Sequence, residues 1–325
     1  MHLKRWIACA IGAIALSSAT AATATGYPER PVTVIIHAGP GGGMDIAGRL
    51  LFRHIEARTG KTFVVENHPG AGGQVGYTRL ITAEPDGYTI GAITTMSIVT
   101  HELTREGVVY RVAEDFEPLA QIVLDPSVVV VPADSPIRTL DDLVAEAKAR
   151  DGRMTWGGSF LFGAHHVHYI LFSEATGAEM TFIPFDGAAD TNAAFLGGHI
   201  DVAAGGFANF ATLIEDGQAR VLAMAGTQRW DAYPDVPTYR ELGHDIVIGS
   251  NRGFAVRSGT PEDRVAWLRE QIEAVVHDEA FIAEAHDLGI GPSLSYLPGP
   301  DFADLLIRLR DTVDAVLPPD ARVAN

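Results

Sequence analysis

Three groups of residues have types and spacings that could do chemistry. The corner Gly39-Pro40-Gly41-Gly42-Gly43 stands between an apolar run, residues 32–36, and an amphipathic helix reaching residue 58. Such a corner presents bare backbone N–H groups, and the positive end of a helix dipole, to something anionic. It is not a phosphate loop of the G-x-x-x-x-G-K-[ST] kind, because Met44-Asp45 stands where the lysine would be. Asp45 reads as a helix cap or as an acceptor for loop N–H groups. The competing reading is a tight strand-to-helix turn, although three consecutive glycines exceed what such a turn requires.

His165, His166 and His168 form the second group. On a helix His165 and His168 share a face, and neutral imidazole is a common zinc ligand, but no third ligand stands at useful spacing. The plainer reading places His165 at a helix N-terminus, donating to a ligand or to a neighbouring loop. Gly158-Ser159-Phe160 lacks the spacing of a nucleophile elbow, so Ser159 is a hydrogen-bonding candidate. The third group, Gly70–Gly76, misses the dinucleotide fingerprint by one residue and lacks the following acid, which leaves a loop at a lobe edge or a cleft border.

An absence is as informative. Segments 37–45, 91–101, 157–166, 184–190 and 205–212 hold no Lys or Arg, and Arg252 is the one guanidinium expected near them. Oriented N–H groups hold one carboxylate well, at roughly 1.5–3 kcal/mol per charge-assisted bond. Several desolvated charges would be costly without a counter-ion. Phe160, Leu161, Phe162 and Phe207 can add apolar contact, unless they belong to the core.

These residues need a scaffold of alternating strands and helices. β-branched runs at 32–37, 63–66, 89–93, 128–131, 181–184, 200–204, 221–225 and 253–257 predict strands of a parallel α/β sheet. Thr139 and Asp142 frame a helix over 140–150 in near capping-box order. Thr260-Pro261 predicts a cap followed by proline at the first helical position, and a last helix runs from about Asp301. Extended sequence at 124–132 and a Gly/Ser/Asn/Arg stretch at 249–254 predict two crossings between lobes. The first lobe would then be discontinuous, 25–127 and 250–325, with 128–249 inserted as the second.

Whole-chain properties narrow the class. Lys4 and Arg5, the apolar residues 6–16 and Ala22-Thr23-Ala24 read as an export signal, residues 1–24, cleaved near Ala24. The sole cysteine, Cys9, lies within it, so the exported chain folds without disulfides. The formal charge is −17, and removing Lys4 and Arg5 makes it −19. That balance argues against nucleic acid and anionic membranes, so any anion site must be local and geometric.

Several segments together resemble one family. Tyr27-Pro28-Glu29-Arg30-Pro31, Gly39-Pro40-Gly41-Gly42 with Asp45, and residues 65–73 come first. Pro85-Asp86-Gly87-Tyr88-Thr89, Leu196-Gly197-Gly198-His199-Ile200-Asp201, residues 233–238 and Gly259-Thr260-Pro261 follow in order. The chain is similar to the substrate-binding proteins of tripartite tricarboxylate transporters, the Bug proteins, over essentially its whole exported length. The resemblance implies a two-lobed α/β fold of the type II periplasmic binding-protein kind, with parallel-rich sheets, closing on a hinge of two crossings over a small organic anion. It implies a periplasmic location and delivery to a membrane permease with one large and one small subunit.

By motif position, the implied ligand contacts in the first lobe are Ala38, Gly39, Gly41, Gly42 and Asp45; Thr94, in segment 91–101, is a further candidate that the motif does not imply. In the second lobe they are Gly157, Gly158, Ser159, Gly163, Ala164 and His165; Phe160, Phe162, Asp186 and Phe207, which the motif does not imply, join the candidate ligand-binding residues beside them. The chain departs from the family at His37, at Phe160-Leu161-Phe162, and at Asp186, where lysine is frequent. The expectation is a solute receptor without cofactor, metal or catalytic residues, a monomer, taking a carboxylate that can carry an apolar or aromatic portion. Two alternatives stay open: an exported hydrolase using Ser159 and His165, and a receptor feeding a signalling protein.

Overall fold

The computed structural model describes residues 26–159, 161–226, 228–230 and 233–323. The export signal and its cleavage point, Cys9 and the candidate Phe160 lie outside the described residues. The first stretch runs β1 (Val32–Ile36), α1 (Gly43–Thr59), β2 (Phe63–Asn67), α2 (Gln74–Thr82), β3 (Thr89–Thr94), α3 (Thr95–Thr104), α4 (Val112–Asp115) and β4 (Phe116–Val123). The middle runs β5 (Ser127–Pro132), α5 (Leu140–Arg150), β6 (Thr155–Ser159), α6 (Ala164–Thr176), β7 (Thr181–Phe185), α7 (Ala188–Leu196), β8 (Val202–Gly206), α8 (Phe207–Glu215) and β9 (Ala219–Met224). The chain finishes with β10 (Arg252–Arg257), α9 (Glu262–Val276), α10 (Glu279–Asp287), β11 (Leu294–Pro298) and α11 (Gly299–Val316).

Two sheets result, giving a two-lobed α/β fold. The first has strand order β11-β4-β10-β3-β1-β2, and the second β7-β6-β8-β5-β9. β1 is almost wholly apolar and buried on both faces, as a strand flanked by parallel neighbours must be. The sheets are mixed rather than parallel-rich. β10 runs antiparallel to β3 and β4, and β5 antiparallel to β8 and β9. Antiparallel neighbours need no crossover helix, so strands entering and leaving through short links fit without one.

The links between sheets lie side by side. Between β4 and β5 the chain passes through Leu124-Asp125-Pro126, and before β10 it returns through 249–251. Ser250 N–H donates to the Asp125 carbonyl at 2.9 Å, and Ser127 N–H to the Ile248 carbonyl at 3.0 Å. A side chain on Gly249 would meet the Asp125 carbonyl at 2.6 Å, so only glycine lets the links touch. The largest core cluster crosses with them: Phe302 and Leu306 of α11 belong to the same apolar body as Val167 and Phe172 of α6.

Local signals held where a cap fixes them. Thr139 Oγ1 accepts from Asp142 N–H at 3.1 Å and Asp142 returns the bond to Thr139 N–H, a full capping box. The expected cap at Thr260 is corrected: the helix starts at Glu262 with Pro261 in the cap position, and the Thr260 hydroxyl donates to the Arg257 carbonyl at 2.7 Å.

Candidate functional site

A cleft of about 520 Å³ opens between the two sheets, and its walls come from both. The second sheet contributes the N-terminal ends of three helices. Gly163, Gly187 and Gly206 precede α6, α7 and α8, each in the cap position and none offering a side-chain cap. Glycine there lets a ligand approach the backbone closely, and the α6 and α7 ends leave N–H groups and a partial positive charge facing the opening, whereas at α8 the Asp125 carboxylate accepts from Phe207 N–H at 3.0 Å. Ser159, Leu161, Phe162 and His165 complete this wall, with Asn209 beside Gly206.

His165 is held in one tautomer. Its Nδ1 accepts from Ser159 N–H at 3.0 Å, so the proton of the neutral ring sits on Nε2. Burial lowers the ring's pKa to about 4. The bond goes to the backbone of Ser159 and not to its hydroxyl, so these two residues do not form a nucleophile–base pair. The other histidines turn elsewhere. His166 Nδ1 accepts from Phe162 N–H at 3.0 Å, and His168 lies fully buried between Ser127 Oγ at 2.8 Å and the Tyr239 hydroxyl at 2.9 Å.

The first sheet contributes Thr94, one face of α3, the turn at Ala71-Gly72 and Arg252. Arg105, just past α3, also lines the cleft. Neither it nor Ser97, Thr100 and His101 was among the residues expected at the site. Their signal was a polar stripe at i, i+3 and i+4 on a helix whose Ile98, Val99 and Leu103 are buried.

Asp125, in the first link, was also missed; it is 4% exposed. Burial pushes its carboxyl up from the ordinary aspartate value, against the opposing pull of Arg252, 3.5 Å away, and the N–H groups of Phe207 and Ala208. His37 lies behind the wall, its Nδ1 3.1 Å from the Ala92 carbonyl and its Nε2 3.0 Å from Thr94 Oγ1, with burial lowering its pKa to about 4.

The candidates from sequence therefore divide. Thr94, Ser159, Phe162, Gly163 and His165 line the cleft. Gly158 is buried directly behind, where a side chain would strike His165 Cβ at 2.6 Å. Asp186 is exposed next to Gly187, outside the lining. Phe207 is in the core, stacked on Tyr233 at 3.9 Å, because an aromatic ring starting α8 is covered by the segment after β9.

Ala38, Gly39, Gly41, Gly42 and Asp45 do not line it either. The Asp45 carboxylate accepts from Gly41 N–H at 2.9 Å, Arg49 Nε at 2.9 Å and Asn67 Nδ2 at 2.8 Å. Burial would raise its pKa, but these donors outweigh that and hold it low. The corner thus orders itself, spending the Gly41 N–H internally. Its last residue, Gly43, adjoins the cleft wall, where a side chain would be 3.3 Å from Arg252 Nη1.

Comparison with known proteins places this arrangement. The model of the tripartite tricarboxylate transporter family receptor, TctC, matches residues 48–296. Protein BugT of Bordetella pertussis is 30% identical over 303 residues, 91% of each chain. A UPF0065 protein from the gbd 5′ region of Cupriavidus necator is 32% identical over 265 residues, 81% of this chain and 80% of its own. A crystal structure of a TctC solute binding protein from Polaromonas, without ligand, superposes with a TM-score of 0.81 at 30% identity, covering 89% of this chain and 98% of that one.

Proposed function

Because the chain belongs to the tripartite tricarboxylate transporter receptor family, we propose that it captures a small organic carboxylate between its lobes and hands it to a membrane permease of one large and one small subunit. It acts as a monomeric periplasmic receptor, exported by residues 1–24. The lobes are 25–127 with 250–325, and 128–249, turning on the paired links.

One observation carries the reading: the glycine-started N-termini of α6 and α7 and the Arg252 guanidinium converge on one cleft. A carboxylate seated against α6 and α7 takes N–H bonds from the second lobe, and His165 Nε2 can donate alongside. Arg252 and Thr94 approach from the first lobe. Contacts available from both sides at once favour the closed form, which is the state a permease would read as loaded. α8 is unavailable to the ligand, because Asp125 takes the Phe207 N–H.

The charge balance limits the ligand. Asp125 offsets Arg252, so a trianion would meet one uncompensated side-chain cation, and desolvating its remaining charges is costly. A ligand of one or two carboxylates fits better, with Leu161, Phe162 and Met96 offering apolar contact. Micromolar affinity requires about −8 kcal/mol. Three or four charge-assisted bonds at roughly 1.5–3 kcal/mol each, with the apolar contact added, bracket that value.

Isothermal titration of the exported chain against mono-, di- and tricarboxylates tests this. Saturable binding of one acid per chain, with the acid recovered unchanged, is expected. If no carboxylate binds, or if the acid is consumed, the receptor reading is wrong.

A further inference from the structure

The polar face of α3 has spent most of its groups. Thr100 Oγ1 donates to the Met96 carbonyl at 2.8 Å, Thr104 Oγ1 to the Thr100 carbonyl at 2.6 Å, and Ser97 Oγ pairs with the Tyr77 hydroxyl at 2.6 Å. Two side chains on that wall are left with capacity. His101 is 4% exposed, and its buried Nδ1 has no hydrogen-bond partner among the described residues. Arg105 gives Nη1 to the Ala71 carbonyl at 2.6 Å and has no carboxylate within 4 Å among the described residues.

Both side chains are gathered at one place. Gly72 sits at φ +64°, and a side chain there would be 3.2 Å from His101 Nε2 and 3.4 Å from Arg105 Nη2. The turn therefore brings an imidazole and a guanidinium to one patch of bare backbone on the cleft wall. Burial, and then Arg105, keep the ring neutral, with its pKa lowered to about 3. With Nδ1 bound to nothing, no protein contact dictates which nitrogen carries the proton, so the ring can present an N–H as a ligand requires.

We infer that His101 and Arg105 form a second, specificity-determining subsite on the first lobe, which receives an anionic group at the far end of the ligand; this rests on the receptor reading of the cleft. The α6 and α7 N-termini hold one end of the molecule, and the α3 patch reads the other. Arg105 is the cation left over once Asp125 has offset Arg252, and its planar fork suits a carboxylate better than a hydroxyl. The preferred ligands are accordingly acids with two anionic ends joined by a short chain.

Chain-matched acids separate the two ends. Titration of the exported chain with succinate against butyrate, and adipate against hexanoate, measures what the second carboxylate adds. One dicarboxylate is expected to bind about tenfold or more tightly than its matched monocarboxylate, the loss expected for one charge-assisted contact. Arg105→Gln should abolish most of that ratio while leaving monocarboxylate affinity within about twofold, and Arg105→Lys should restore part of it. His101→Gln should lower the ratio several-fold. An unchanged ratio in Arg105→Gln overturns the subsite while leaving the receptor reading intact, as does equal weakening of both acids. Absence of binding by every acid to the unmodified chain overturns the receptor reading, and the subsite with it.

Discussion

The Asp125 carboxylate, in the link between β4 and β5, accepts a hydrogen bond from the backbone N–H of Phe207 at 3.0 Å. A residue of the crossing thus caps the first turn of α8, so the link and the second lobe are tied by one side chain. The same carboxylate lies 3.5 Å from Arg252, in the strand that follows the return link.

That position has a pH signature. Burial raises the folded pKa of Asp125 above its ordinary value of 3.8, so the protonated form is the one folding favours. Its contribution to stability is present below pH 3.8 and is lost as the pH rises through the raised folded value. Arg252 is partly solvated and too distant to cancel the burial penalty. Asp125→Asn keeps an acceptor for Phe207 without the charge. It should match or exceed the unmodified chain in thermal stability at neutral pH, with any gain vanishing in acid. Asp125→Ala also loses the cap and should cost about 1 kcal/mol. Melting curves across the acid range check both.

Gly76 offers a contest of two effects. In the first turn of α2, alanine would ordinarily gain up to about 1 kcal/mol in helix propensity. Here its Cβ would stand 2.7 Å from His37 Cβ and 2.8 Å from His37 Cα, and a backbone atom cannot step aside. Overpacking of this kind costs about 1–3 kcal/mol, so it prevails. Gly76→Ala should lower the urea midpoint, whereas a rise would show that α2 can shift away from β1.

The periodic and capped parts of this fold were legible in the sequence, and the crowded parts were not. β1 announces itself by its apolar run, and α5 by Thr139 and Asp142. β6 was invisible as a strand because Gly157 and Gly158 look like loop residues. They are glycines because side chains would strike Ile200 Cδ1 at 2.3 Å and His165 Cβ at 2.6 Å. The same ambiguity misled at the cleft. Gly39 and Gly41, where added side chains would meet open space, resemble Gly163 and Gly187 in sequence, yet only the latter pair faces the opening. Asp125 gave no local signal, since its role depends on a helix 82 positions away.

Acid should weaken the fold before its carboxylates protonate. His37 and His168 are buried and neutral, with folded pKa values lowered to about 4 and about 3 from 6.5, chiefly by burial. A base with a depressed folded pKa contributes stability that is present above pH 6.5 and lost as the pH falls toward the folded value. Each ring should cost up to about 2 kcal/mol between pH 6.5 and 5. His168→Gln should flatten that slope, even if stability at pH 7.5 also falls. Urea midpoints measured across this interval would sink the assignment if the slope were unaltered.

His165 tests whether one ring shapes the loop before α6. Its Nδ1 is the acceptor for Ser159 N–H, and Ser159 is buried, so His165→Ala leaves that donor unsatisfied at a cost of about 1–3 kcal/mol. The strain is local, so the turn from Ser159 to Gly163 should loosen while the rest of the fold persists. Amide exchange should accelerate across that turn, and carboxylate affinity should drop by about tenfold, since the α6 N-terminus is no longer held in place. His165→Asn can present a carbonyl oxygen to the same N–H and should recover part of both losses. An alanine variant with unaltered exchange and affinity would mean the turn is held by its packing alone, chiefly Phe162 against the core.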